Sequence, residues 1–161
     1  MNSYQKYKNI PVVVVTPIRN DAWILEEFIK VTTHFADKIV ILDQASYDNS
    51  RKICKRYEKV DYHYIEREEF SADKRRSFLI NRARDLYPGK KLLMGVDVDE
   101  FIAGNALDSN DWKEIFHSEE GTMIAFEKPD LNPKFPYTSR NLLLFITIKE
   151  STFLRSSSIP F

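Results

Sequence analysis

A three-layer α/β/α architecture around a mostly parallel central sheet is the fold class this sequence predicts, and three observations predict it. Short aliphatic runs at Val12–Val15, Ile39–Leu42 and Leu92–Val96 lack the polar alternation of a half-exposed strand and match strands buried on both faces. Stretches with apolar residues at helical spacing stand between them, the order expected of βαβ units. Polar residues then fall where each run ends: Thr16 and Pro17, Asp43, and Asp97 to Asp99. Open α/β sheets bind ligands outside the carboxyl ends of their strands. These side chains, distant in sequence, are therefore expected on one rim.

The elements follow in order. Met1 to Asn9 is a polar lead-in. The first strand starts at Ile10-Pro11, where a missing N–H is tolerated. The polar loop Thr16 to Asp21 comes next, with Asn20 or Asp21 able to cap a helix. That helix runs from Ala22 to about His34, with Ile24, Leu25, Phe28 and Ile29 inward. Lys38 to Leu42 forms the second strand and Asp43 stands at its end. The turn from Gln44 to Ser50 is rich in capping residues. A second helix, with Ile53, Cys54 and Tyr57 inward, is expected to reach about Lys59. Val60 to Ile65 alternates like a strand, and the charge run Glu66 to Glu69 reads as a solvated loop. Ser71 to Tyr87 has the period of a long helix, with Phe78, Leu79, Ala83 and Leu86 inward, and Pro88-Gly89 stops it. The acidic strand follows, then a loop to Asn105, a short helix near Asp111 to His117, and a strand at Thr122 to Phe126. Lys128 to Tyr137 carries three prolines and reads as a loop. Leu142 to Ile148 fits an edge or crossing strand, and the tail from Ser151 has no assignable pattern.

Length and composition bound the function. The chain of 161 residues suits one domain, 1–161, with a sizeable core. With 24 basic and 24 acidic residues, there is no electrostatic case for nucleic acid or an anionic membrane. The only cysteine, Cys54, has no internal disulfide partner, and it falls on an apolar helix stripe, so it reads as core rather than nucleophile. No apolar run is long enough for a membrane span. A cytoplasmic location is expected, with peripheral membrane contact left open. His34, His63 and His117 lie on separate elements without metal-ligand spacing.

Chemistry concentrates in Lys91 to Phe101. Asp97 and Asp99 follow the buried run, and residues two apart on an extended chain point to the same side. Two such carboxylates can hold a hard divalent cation through oxygen. An acidic, solvated loop is the competing reading.

With these residues in place, the chain resembles a family 2 glycosyltransferase of GT-A, Rossmann-like fold over about residues 10 to 105. Val12 to Asn20 is similar to that family's opening strand and Asn-containing loop. Leu42 to Ser50 looks like its second-strand signature, an acid followed by a Ser-x-Asp turn. Lys74 to Arg84 resembles the helix whose basic residues and Asn, here Arg75 and Asn81, precede the metal strand. Val96 to Phe101 matches an Asp-x-Asp-Glu-Phe form of the family's motif. The resemblance implies a metal-dependent transferase moving a sugar from a nucleotide-sugar donor to a saccharide or other hydroxyl acceptor. Thr16, Pro17, Asn20, Asp43, Arg75, Asp97 and Val98 would bind the donor, with Asp43 accepting from the base. Asp99, with Asp97, would ligate Mn²⁺ or Mg²⁺. For Asp43 a turn-capping role competes, and for Arg75 and Lys74 a solvated helix face. Glu100 reads as a loop anchor bonding backbone N–H groups, with a metal-shell contact as the alternative. Downstream, Glu127 and Asp130 are the candidates for a catalytic carboxylate, and the short acceptor side makes a donor-binding remnant without turnover the second expectation. Two other classes rank lower. An Asp-x-Asp phosphatase with Asp97 as nucleophile wants its acids after the first strand. A nucleotidyltransferase wants a glycine-rich loop there, and Thr16 to Asp21 contains no glycine.

Overall fold

The computed structural model describes residues 9–66, 71–126 and 143–147. The lead-in before Asn9, the run Arg67 to Glu69, the proline-bearing loop from Lys128, the tail from Ser151, and the candidates Glu127 and Asp130 lie outside the described residues.

Among the described residues eleven elements follow one another, alternating as expected as far as β4: β1 Val12–Ile18, α1 Ala22–Thr32, β2 Lys38–Gln44, α2 Ser50–Cys54, β3 Val60–Ile65, α3 Ala72–Leu86, β4 Leu92–Gly95, a 3-10 turn Gly104–Asp108, α4 Asn110–Ile115, β5 Met123–Phe126 and β6 Leu143–Thr147. They build one six-stranded sheet in the order β3-β2-β1-β4-β6-β5. The pairs β1–β2, β2–β3 and β1–β4 are parallel, whereas β6 runs antiparallel to both β4 and β5. The sheet is thus mostly parallel, as its β-branched, doubly buried runs dictate. The segment read as an edge or crossing strand is interior, between β4 and β5.

Side-chain alternation on the strands divides the core into two halves. Val12, Val14, Ile18, Ile39, Ile41, Leu92 and Met94 pack with α1, α2 and α4, including Leu25, Phe28, Cys54 and Trp112. Val13, Val15, Val40, Leu42 and Leu93 pack with Leu79 and Ala83 of α3. Helices therefore cover both faces of the sheet. Cys54 is 1% exposed, and burial, followed by the Asp43 charge, pushes its thiol up to about 12, so it is core and not a nucleophile.

Two elements depart from expectation. The helix expected to reach Lys59 stops at Cys54. After Cys54, which is still core, the backbone leaves in turns, Tyr57 N–H donating to the Cys54 carbonyl and Val60 N–H to that of Tyr57. In α1, Asp21 occupies the N-cap position but gives no side-chain cap. Its carboxylate turns back to the Arg19 N–H at 2.7 Å, and the first helical N–H, of Ala22, is capped at 2.9 Å by Asp48 from the next loop. At the other stop signal, Gly89 has φ +87, a left-handed conformation that glycine tolerates without strain.

Candidate functional site

Strand order reverses between β1 and β4. The chain steps outward from β1 to β2 to β3, then returns to the far side of β1. The crevice at the carboxyl ends of β1 and β4 is the switch point, where open α/β sheets place their ligands. Neighbouring strands are about 4.8 Å apart. The ends of β2, β1 and β4 therefore share one rim, and with them Asp43, Pro17 and the Asp97 turn.

The acidic turn leaves β4 with its alternation intact. Val96 N–H donates to the Val15 carbonyl at 3.2 Å, extending the β1–β4 pairing by one residue. Val96 and Val98 are buried in the core half beneath α1, while Gly95, Asp97 and Asp99 are exposed. Gly95 and Asp97 thus continue the stripe of Leu93 on the α3 face, and Asp99 follows in the turn. The turn is closed twice: Glu100 N–H donates to the Asp97 carbonyl at 2.9 Å, and the Glu100 carboxylate accepts the Asp97 N–H at 2.9 Å. Glu100 is the loop anchor read from the sequence. Phe101 then packs edge-on against Phe28 of α1, with ring centroids 6.4 Å apart.

The two neighbouring loops are laced together. Asn20, with φ 58, donates its N–H to Ser46 Oγ at 2.8 Å and accepts the Tyr47 N–H on Oδ1 at 3.0 Å. Asn tolerates this left-handed conformation better than most residues. Asp43 accepts the Ser46 N–H at 2.8 Å and the Tyr62 hydroxyl at 2.6 Å, one on each oxygen. Burial, then this hydrogen bond to Asp43, raises the Tyr62 pKa, so the hydroxyl stays protonated and donates. Asp48 spans Ala22 N–H and Ser50 N–H at 2.9 Å each. Burial pushes the Asp48 carboxyl up, but the hydrogen bonds from Ser50 and Ala22 outweigh it and hold the pKa below the usual aspartate value.

Helix α3 brings cations to the rim from the other face. Ser71 caps it by accepting the Lys74 N–H at 3.3 Å. Arg75 donates to the Gln44 side chain, at the end of β2, at 2.9 Å. Seven residues on, and so on the same helical face, Arg82 grips Asp61 of β3 at 2.6 Å. His63 approaches the same carboxylate at 2.8 Å and packs edge-on against Phe78. The first tether holds the N-terminal part of α3 at the carboxyl end of β2, and the second ties its C-terminal part to Asp61 near the start of β3.

The expected site residues fall into two groups. Pro17, Arg75, Asp97 and Asp99 reach the rim with at least part of their surface open. Thr16 and Asp43 are 0% exposed and Val98 is 7% exposed, so no ligand touches their side chains in this conformation. Thr16 faces the α1 side of the sheet, Val98 is core, and the oxygens of Asp43 are taken by Ser46 and Tyr62. Asn20 ties loop to loop. Arg19, exposed at the end of β1, went unread in the sequence, though a cation directly after a buried strand is a signal of the kind that marked Asp43. Among the described residues, no three His, Cys, Asp or Glu side chains gather to hold a metal ion. Asp97 and Asp99 offer two carboxylates, so a cation there would need oxygen ligands from another source as well. Among the described residues, no helix is long and apolar enough to cross a membrane.

Comparison with known proteins corrects the family reading. No family model matches the chain, and no curated protein matches it. Similar solved structures include a 4-diphosphocytidyl-2C-methyl-D-erythritol synthase, 11% identical, with TM-score 0.56 over 87% of this chain and 74% of that one. The corresponding synthase from Anaerococcus prevotii is 11% identical, with TM-score 0.51 over 91% of this chain and 73% of that one. These are nucleotidyltransferases, which transfer a nucleotide rather than a sugar, on a fold related to GT-A. The expectation of a family 2 glycosyltransferase, and of sugar transfer or a remnant of it, is therefore withdrawn. Short motifs spread over a shared scaffold produced the resemblance, and a scaffold hosts many chemistries. At this identity the likeness establishes the fold: a Rossmann-like α/β/α sandwich with a parallel four-stranded centre.

Proposed function

We propose that the chain binds a nucleoside triphosphate at the β1–β4 switch point and transfers its nucleotidyl group to an oxygen of an acceptor. The observation that carries this reading is the exposed pair Asp97 and Asp99, at the end of a buried strand beside the reversal of strand order. The likeness in fold to nucleotidyltransferases supports it. The glycine missing from the loop after β1 is a smaller obstacle than the sequence suggests, because Asn20 supplies the left-handed turn.

In this reading an acceptor oxygen forms a bond to the α-phosphorus while the bond to the β-phosphate bridge breaks, and pyrophosphate leaves with the electron pair. Asp97 and Asp99 would hold Mg²⁺ or Mn²⁺. The cation, when bound, neutralises charge that accumulates on the departing group. Arg75 and Arg19 add positive charge at the same rim, and Gln44 aims the Arg75 guanidinium. Glu100 fixes the backbone from which both aspartates project.

The test is calorimetry and thermal shift with CTP, UTP, ATP and GTP, with and without MgCl2, followed by pyrophosphate release in the presence of phosphorylated alcohols. Bound ligand raises the melting temperature as its excess over Kd grows. Cation-dependent binding lost in Asp99→Asn supports the proposal. No binding by the wild type, or equal binding by that variant, refutes it.

A further inference from the structure

Among the described residues nothing requires Gly95, the last residue of β4, to be glycine. Its backbone is not left-handed: among the described glycines only Gly89 and Gly121 have positive φ. Nor is it crowded, since a Cβ built there meets nothing of the described residues within 4 Å. Glycine in a strand weakens it by giving up both side-chain packing and conformational restraint, and often marks a place where a ligand approaches the backbone. The surroundings specify where. Gly95 pairs with Val15 of β1 across the switch point and is exposed, although Leu93, two residues earlier on the same side, is buried under the α3 half of the core. On β4 the cover thus ends between Leu93 and Gly95, while Val15 beside it stays buried, and this leaves a notch of bare backbone at Gly95.

We infer that the ribose and base of a nucleotide lie in this notch against Gly95, so that a Cβ is excluded by the ligand and not by the protein. This rests on the proposed nucleotide binding and deepens it. Gly95 precedes Asp97 by two residues, about 6.6 Å of extended chain on one side of the strand. A cation-held phosphate at the aspartates therefore places the sugar it esterifies back along the stripe, over the glycine. The polar end of the ligand meets carboxylates and Arg75, and its flat, less polar part meets backbone.

The experiment compares wild type, Gly95→Ala and Gly95→Val for melting temperature without ligand and for affinity toward CTP, UTP, ATP and GTP in MgCl2. Both variants are expected to melt at or above the wild-type temperature, since the new carbons enter open space in a strand. Affinity for the nucleotide that the wild type binds is expected to fall roughly tenfold or more in Gly95→Val, with Gly95→Ala between, as overfilling a packed contact does. Wild-type affinity in Gly95→Val overturns the notch and leaves nucleotide binding standing. A wild type that binds none of the four overturns the functional reading and this inference with it. Should Gly95→Val fail to fold, Gly95→Ala decides: unchanged affinity in that variant overturns the notch.

Discussion

The Tyr62 hydroxyl donates to the buried Asp43 carboxylate at 2.6 Å from the adjoining strand β3. This bond joins the sheet's edge strand to the turn that laces the rim, because the other Asp43 oxygen holds the Ser46 N–H. Tyr62→Phe is expected to cost about 2 kcal/mol, the scale of a hydrogen bond to a charged partner. Urea denaturation measures it. A variant as stable as wild type would show that the carboxylate is adequately served by the backbone alone.

Strain sits two residues beyond that carboxylate. Ala45 has φ 57, a left-handed conformation in which its Cβ crowds the carbonyl. Ala45→Gly is expected to stabilise the protein by about 1 kcal/mol, or roughly 2–4 °C in Tm. Differential scanning calorimetry decides, and a lower Tm would contradict the strain.

The anchoring of Asp97 by Glu100 separates positioning from ligation. Glu100→Gln keeps an oxygen to accept the Asp97 N–H and should keep metal-dependent nucleotide binding. Glu100→Ala removes it and is expected to weaken metal affinity roughly 10–100-fold, as loss of an orienting partner does. Titration with Mn²⁺ followed by electron paramagnetic resonance distinguishes the two. Equal loss in both variants would mean that the negative charge itself is needed.

Acid stability should depend on Asp48 and Asp61. Burial raises the Asp61 pKa, but the hydrogen bonds from Arg82 and His63 outweigh it and leave the pKa below its ordinary value, as is also true of Asp48. A depressed folded pKa contributes stability that is complete above the unfolded value, near 3.9, and lost as pH falls through the folded one. Unfolding free energy should therefore drop as pH falls below about 4. Asp48→Asn and Asp61→Asn should each flatten that drop while lowering stability at neutral pH. Denaturation curves between neutral pH and strong acid provide the check, and an undiminished acid slope in both variants would contradict it.

How much was legible in the sequence follows from the range of each interaction. β1, β2, α3 and β4 announce themselves because burial on two faces or one stripe writes a period into the residues that form them. That Asp97 and Asp99 follow directly on a buried strand was readable for the same reason, but the extended run expected to set them on one side is a turn closed between Asp97 and Glu100. Asp43 misled: an acid at a strand end looks alike whether it faces a ligand or Tyr62, and Tyr62 is a residue of another strand. The Asp48 cap on α1 was hidden similarly, because Asp21 stood in the local capping position. Gly95 carried no sequence signal until its open surroundings were known. The family likeness failed where short motifs met a scaffold that other chemistries also use.

The slot taken by β6 has a consequence for the chain as it is made. β5 leaves the ribosome before β6, yet it reaches the sheet only through β6. From the emergence of Phe126 until that of Thr147, β4 is therefore a raw flank with unanswered N–H and C=O groups, and such flanks invite pairing with a stranger's strand. Pauses in translation within that interval should favour clumping of the nascent protein, and stop codons placed there should yield insoluble product.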